Sequence, residues 1–393
     1  MKHYISTFLV CILLIGCSHS SKKSVSDSFE PLPVPILDLE QASMPGNEGN
    51  YEETVRYIPL ETNGDVIIDK RRHILYCSDS RIVVVNEMEG DVFVFDGQGK
   101  IVSHFNHRGQ GPEEYLNLQI HIYGTVAVYD EINREIFVME SRGRCNVYSE
   151  EGHHLRTFDF SKNKQYREAY SFDSETLLAY DANTDTDSAY VFLSKKDGRV
   201  LSRIDIPLKR RLSNTSSRMI SNGKQLTTFG LPRQQLLKDG DDYILAEMSS
   251  DTLYRFTRDK RLIPILAYTP SMHDSKMLVA FQPLKVTDKC VFGFKYVFDL
   301  SEKASQSPKT IVLIYDLEKR QAFNYKGSPD MDYYVSGYNV SNTDLPAGLF
   351  IQNGFSDRIL KDLEKGELSG KIKEVAEKLN EDDNPVIQVI KFK

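Results

Sequence analysis

From about Asn50 to the C-terminus, apolar residues recur with period two rather than 3.6, in short runs that end at turn residues. The first cluster holds four such runs: His73–Cys77 (HILYC), Arg81–Val85 (RIVVV), Asp91–Phe95 (DVFVF) and Lys100–Phe105 (KIVSHF). Asp96-Gly97-Gln98-Gly99 is the clearest turn between them. Four short antiparallel strands joined by tight turns make one blade of a β-propeller. The third strand then recurs. Val94-Phe95-Asp96 is echoed by Val147-Tyr148-Ser149, Val191-Phe192-Leu193, Arg255-Phe256-Thr257 and Ile314-Tyr315-Asp316, at intervals of 53, 44, 64 and 59 residues. Each echo leads through a polar turn into another short strand, so the repeat is built of strands alone and excludes a helical solenoid.

The sixth unit is incomplete. Ala347–Ile351 and Pro385–Phe392 read as strands, and then the chain stops. The absent strand is available in Val55–Leu60, and pairing it with the C-terminal run closes a ring and protects both edges. Pro59 suits an outermost strand, where one row of N–H groups faces water. Residues 356–380 carry the chain's one convincing helical pattern, with Leu368, Ile372, Val375, Ala376 and Leu379 on a single stripe and Ser356 as a cap. The expected fold is therefore all-β: a six-bladed propeller over residues 50–393, closed by its two terminal strands, with a small helical insertion in the last blade. The stripe is expected to dock on the body of the fold.

Three segments carry a family resemblance: Tyr57-Ile58-Pro59-Leu60-Glu61-Thr62, Val94-Phe95-Asp96-x-x-Gly99-Lys100, and Arg108-Gly109-Gln110-Gly111-Pro112-Glu113-Glu114-Tyr115. Asp383-Asn384-Pro385-Val386 adds a fourth. With them the chain resembles six-bladed β-propeller lipoproteins of largely unassigned function, related in fold to NHL-type and TolB-like propellers. The resemblance implies a fold and an envelope location, and no activity.

The N-terminus gives an address. Residues 1–16 combine Lys2 with an apolar run from Ile5 to Ile15, the length of a signal-peptide core and too short to span a bilayer. Leu14-Ile15-Gly16-Cys17 looks like a bacterial lipobox, with Cys17 as the lipidated residue. Residues 17–49 begin as a Ser-, Lys- and Pro-rich stretch and are expected to be a flexible tether. A lipid on Cys17 is then the expected link to the outer membrane, on its periplasmic side, because no acidic run follows the cysteine. Cys77, Cys145 and Cys290 sit in or beside apolar strand-like runs and read as small buried thiols.

Chemistry is harder to read. A net charge of −7 argues against a nucleic-acid partner. No serine-hydrolase elbow, zinc-protease motif, paired-cysteine motif or phosphate loop is present. Arg108 to Tyr115 connects the fourth strand of the first blade to the first strand of the second, which places it at the mouth of the central channel. Arg108, Gln110, Glu113 and Tyr115 are the expected ligand-binding residues, with Arg142 from a neighbouring turn. The competing reading is a clasp that knits the two blades together. Asp181-x-Asn183-x-Asp185-x-Asp187 partly resembles a calcium loop, but Thr186 and Phe192 replace the required Gly and Glu. No cofactor is expected, with Ca²⁺ the single cation for which even a partial pattern exists. Lys209-Arg210-Arg211 reads as a solvated loop. Two function classes follow: a non-enzymatic module that binds a small molecule, glycan or protein, and, as the alternative, a metal-dependent hydrolase or lactonase, for which fold analogy is the only warrant.

Overall fold

The computed structural model describes residues 33–41, 52–69, 72–118, 126–140, 143–160, 166–186, 188–212, 215–220, 225–230, 235–271, 273, 278–298, 309–324, 349–354 and 356–392. The strands and helices all belong to the unit Val34–Lys393. Two strands, β1 (Ile36–Asp38) and β2 (Glu52–Pro59), come first. The first sheet then follows as β3 (Arg72–Cys77), β4 (Arg81–Asn86), β5 (Asp91–Asp96) and β6 (Ile101–Asn106). The second is β7 (Val126–Asp130), β8 (Glu135–Met139), β9 (Arg144–Ser149) and β10 (His154–Asp159). The third is β11 (Tyr166–Ser171), β12 (Thr176–Asp181), β13 (Tyr190–Ser194) and β14 (Val200–Ile204). A separate hairpin, β15 (Thr215–Ile220) with β16 (Gln225–Gly230), precedes the fourth sheet.

That fourth sheet is β17 (Leu236–Asp239), β18 (Asp242–Leu245), β19 (Thr252–Phe256) and β20 (Leu262–Thr269). The fifth is β21 (Leu278–Val286), β22 (Cys290–Phe298), β23 (Lys309–Asp316) and β24 (Gln321–Asn324). Last come β25 (Leu349–Gly354), helices α1 (Ser356–Glu364) and α2 (Gly370–Ala376), and β26 (Val386–Phe392). In the first, second, third and fifth sheets the strands pair in sequence order, antiparallel throughout.

Burial explains why these runs become these strands. The second strands, such as RIVVVN in β4, are buried on both faces because a sheet packs against each side, and so read as unbroken apolar runs. The outermost strands β6 and β10 alternate exposed and partly buried positions. First strands β3, β7, β11, β17 and β21 lie against one another in that order, which sets the sheets radially. The core is a set of seams. Val83, Val94, Phe105, Tyr129 and Tyr148 fill the one between first and second sheets. Phe292 and Ile314 meet Ile390 between fifth and sixth. Ile58, Ile387 and Val389 meet Ile82, Phe93 and Phe95 between sixth and first. The fold is a β-propeller.

Closure follows the sequence expectation. β2 pairs antiparallel with β26, from Glu52↔Phe392 to Pro59↔Val386, and β26 pairs with β25. Turns between third and fourth strands show which place β2 takes. Gly152, at φ +91, sits so close to Phe105 of β6 that a Cβ would lie 2.6 Å from it, and Gly99, at φ +85, sits likewise on Pro59. β2 therefore does for the first sheet what β6 does for the second: it is an outermost strand. Ala347 and Gly348 lie outside the described residues.

α1 and α2 stand between β25 and β26, with the stripe docked as expected: Ile359, Leu368, Ile372 and Ala376 are buried with Val386, beside Tyr57. At the start of α1 the Ser356 hydroxyl donates to Asn384 O at 2.8 Å, tying the helix to the segment ahead of β26. Cys77, Cys145 and Cys290 are buried as expected, and burial pushes the Cys77 thiol up to about 12.

One expectation needs correcting. The stretch read as tether contains β1, which pairs in parallel with β20 as a fifth strand of the fourth sheet. Leu37 and Leu39 are each 2% exposed in the seam between fourth and fifth sheets. Two leucines at alternate positions suffice for a short strand, and the Ser/Pro-rich surroundings concealed them.

N-terminal truncation separates these contributions. A chain starting at residue 34 should melt with the full-length protein. Starting at residue 43 removes Leu37 and Leu39, each worth about 1.5–3 kcal/mol of burial, and should lower Tm by about 5 °C. Starting at residue 62 also uncovers β26 and should lower Tm by about 10 °C or more, or abolish the cooperative transition. Equal melting of the chains starting at 34 and 62 would show that the ring does not need β2.

Candidate ligand-binding site

The connection from β6 to β7 is held from beneath by one tyrosine. Tyr115 is fully buried, and its hydroxyl donates to Gly90 O at 2.6 Å while accepting from the His107 N–H at 3.0 Å. Backbone bonds close the loop: Gly109 N donates to Tyr115 O at 2.9 Å and Tyr115 N to His107 O at 3.0 Å. Glu114 folds inward and accepts from Gly111 N at 2.7 Å. A Cβ on Gly109 would lie 1.9 Å from that carboxylate, so a side chain there would have to displace the end of Glu114.

The second sheet holds the other side. Tyr148 OH donates to Glu113 O at 2.7 Å, Asn146 to Glu114 O at 2.9 Å, and Leu116 N to Glu140 at 2.7 Å. His107 stacks on Tyr148 with ring centroids 5.0 Å apart and donates to Gly152 O at 2.7 Å. The loop is thus a clasp between first and second sheets, whatever else it does.

Above that clasp, Arg108, Gln110 and Glu113 are exposed. Arg108 Nη1 donates to Met88 O at 2.8 Å, in the turn between β4 and β5. A guanidinium has five N–H donors in a planar fork, so four remain for a carboxylate or a pair of hydroxyls. Glu113 lies 3.6 Å from His154 Nδ1. The structure thus brings Arg108, Gln110, Glu113 and Tyr115 onto one loop, with Tyr115 beneath it as a support. Arg142 lies outside the described residues.

Sequence reasoning missed a second clasp. Arg211, read as a solvated loop cation, is buried with 2% side-chain exposure and lies 3.6 Å from Glu247, itself at 0%. It donates to Asp181 O at 2.6 Å, to Asn183 O and to Tyr180 OH at 3.2 Å. Arg108 and Arg211 hold equivalent places: each follows the fourth strand of its sheet and donates to carbonyls between the second and third strands. That positional match is the signal that could have found it.

The calcium-like segment has other uses for its oxygens. Asp181 Oδ1 accepts from Asn183 N at 3.1 Å and Asn183 Oδ1 from Asp185 N at 3.0 Å, while Asp187 lies outside the described residues. Among the described residues no group of three or more His, Cys, Asp or Glu side chains is placed to hold a metal ion.

Near Arg211, Glu168 on β11 accepts from Gln235 N at 2.9 Å and Leu236 N at 2.6 Å, tying the third sheet to the fourth. Burial pushes its carboxyl up to about 8, with Glu247 adding to the rise and the two amides opposing it.

These sheets and their clasped connections define a β-propeller with one loop-bearing end for a candidate site. The chain belongs to the family described as a domain of unknown function, DUF4934, whose model matches residues 35–391. It is similar to a protein of Bacteroides fragilis described as exported, with TM-score 0.59 and 12% identity over 91% of this chain and 99% of that one. A DUF4221 family member from Bacteroides vulgatus gives TM-score 0.43 and 10% identity over 87% and 97% of the two chains. BamB from Moraxella catarrhalis gives 0.34 and 12% over 81% and 84%. At such identities the likeness to the first concerns the fold. No curated protein matches the chain.

Two measurements probe the clasps. Tyr115→Phe strands the His107 N–H and Gly90 O, and should cost about 1–3 kcal/mol in urea denaturation, whereas Arg108→Ala should cost under about 1 kcal/mol. A larger loss for Arg108→Ala would make its guanidinium structural. Glu168 gives a pH dependence. Its folded pKa lies above the unfolded value, so its contribution is complete below about pH 4.5 and is lost as pH rises through about 8. Glu168→Gln should retain the acceptor and flatten Tm between pH 5 and 8; an unchanged slope would remove Glu168 as its source.

Proposed function

We propose that this chain is a lipid-anchored protein of the bacterial envelope whose six sheets are the six blades of a propeller acting as a non-enzymatic binding module. The observation that carries this reading is the construction of the β6–β7 loop. Its backbone is locked by Tyr115 and by groups of two sheets, while Arg108, Gln110 and Glu113 stand exposed above it. A ligand meeting such a loop orders little backbone on binding, which is what makes a preformed site effective. An anionic or hydroxyl-rich ligand, such as an acidic glycan, suits the free edge of Arg108, with Gln110 and Glu113 setting its orientation.

The location rests on residues 1–17. Their basic start, apolar core and Leu-Ile-Gly-Cys ending favour lipidation at Cys17. No helix among the described residues is long and apolar enough to cross a membrane. We favour the periplasmic side of the outer membrane, and the likeness to a protein described as exported supports an envelope location.

Labelled palmitate should be incorporated into the wild-type chain and not into Cys17→Ser, which should leave the membrane fraction. Incorporation at wild-type level in the variant would overturn the anchor. For the module, uronic-acid oligosaccharides should raise the Tm of the wild type, and Arg108→Ala should abolish that rise while keeping its own Tm within a few degrees. An equal rise in the variant would remove Arg108 from the site.

A further inference from the structure

We propose that the seam between the fourth and fifth sheets is a strand-acceptor groove for an extended Leu-x-Leu segment, filled here by the chain's own residues 35–39 and open to exchange. The pairing itself sets this segment apart. β20 ends a four-stranded antiparallel sheet, and its outer edge takes β1 in parallel register, with Ile36↔Ala267, Leu37↔Tyr268 and Asp38↔Thr269. Among the described residues, the outermost strands β6, β10, β14 and β24 carry no such addition.

The groove holds its occupant almost entirely by backbone. Ala267 N donates to Pro35 O at 2.9 Å and Leu39 N to Thr269 O at 2.7 Å. From the fifth sheet, Tyr315 OH donates to Ile36 O at 3.0 Å and Lys295 Nζ to Gln41 O at 3.4 Å. None of these bonds reads a side chain of the segment. Selection falls to two positions: Leu37 and Leu39 are buried among Leu253, Leu266, Val279 and Val291, whereas Ile36 is 60% exposed. Main-chain bonds for affinity and alternate pockets for specificity are the chemistry of strand addition.

The fit of the chain's own segment is incomplete. The Tyr268 hydroxyl, on the residue opposite Leu37, is buried and has no hydrogen-bond partner among the described residues. An unmet buried hydroxyl lowers the affinity of the resident segment. Three ladder pairs are held in place largely because the chain runs on from β1 into β2 of the last sheet and so ties the segment to the propeller, which gives a high effective concentration.

The test keeps the full chain and cuts that connection. A site-specific protease sequence is placed between Gly46 and Gly49, the purified protein is cleaved, and a fluorescent peptide of residues 33–41 is added. The peptide should enter the cleaved protein, with at least ~10-fold weaker uptake by uncut protein. A peptide carrying Leu37→Asp and Leu39→Asp should bind at least ~10-fold more weakly to the cleaved protein. In a Tyr268→Phe background, exchange should slow, because the resident segment no longer buries an unmet hydroxyl. Equal uptake of both peptides, equal uptake by cut and uncut protein, no exchange over days, or faster exchange in Tyr268→Phe would each overturn the proposal. The outcome is independent of lipidation and of Arg108.

Discussion

A radial arrangement of sheets has two loose ends, and here the antiparallel pairing of β2 with β26 joins them. Seven residues of β2, from Glu52 to Pro59, find partners in β26, with one irregularity between Glu52 and Thr54. The pairing fixes more than two strands. It carries Ile58 into the seam with the first sheet and holds Ile387 and Val389 there, so the closing seam is packed with buried apolar residues like the others. Asn384, just ahead of β26, then locks the chain leaving β2. It donates to Glu61 O and Val66 O, both at 2.7 Å, and accepts from Ile68 N at 2.8 Å. Contacts of such long sequence separation gain nothing until the intervening chain is in place, which makes the closing seam an all-or-none feature of the fold.

Three of the other seams use charge pairs. Lys195 Nζ reaches Asp130 at 2.6 Å and Ser171 Oγ at 2.9 Å, joining second and third sheets, with side chains at 4% and 0% exposure for the ion pair. Lys285 and Asp239 lie 2.8 Å apart between fifth and fourth, and Arg81 bonds Glu150 between first and second. Desolvation offsets most of the attraction in such pairs, so their net contribution to stability is small. Losing one partner, however, leaves a buried charge unmatched. A sheet seated against the wrong neighbour, or slipped by one residue, would do that at each of these seams. The apolar residues between sheets drive packing, and these pairs select one register among the apolar alternatives.

Much of this was legible in the chain. The period-two runs and the recurrence of Val94-Phe95-Asp96 specify sheets of short strands because burial on two faces demands apolar, β-branched runs whatever the exact residues. The role of Val55–Leu60 was also readable, since an unpaired C-terminal strand needs a partner. Three features were not. β1 depends on two leucines whose burial is decided by a seam that local sequence does not describe. Arg211 looks like any loop cation until Glu247, 36 residues on, closes over it. That the Arg108–Tyr115 loop could be a clasp was readable, but the burial of Tyr115 beneath it is fixed by Gly90, 25 residues upstream, and by Tyr148, 33 residues downstream, so it could not be counted from the loop alone.

The clasps constrain the loops that rest on them. Each clasp must satisfy buried backbone groups of two sheets, and this fixes the residues that point down: Tyr115, Glu114 and Asn146 at one seam, Arg211 and Glu247 at another. The residues that point up meet no such demand. Arg108 belongs to both sets, because one donor holds Met88 O while the rest of its fork faces solvent. A lysine there has three donors on a flexible stem and cannot fix both directions at once, whereas a planar guanidinium anchored at one edge is oriented at the other. The same bond that ties two loops of the first sheet together therefore aims the only cation of the Arg108–Tyr115 loop.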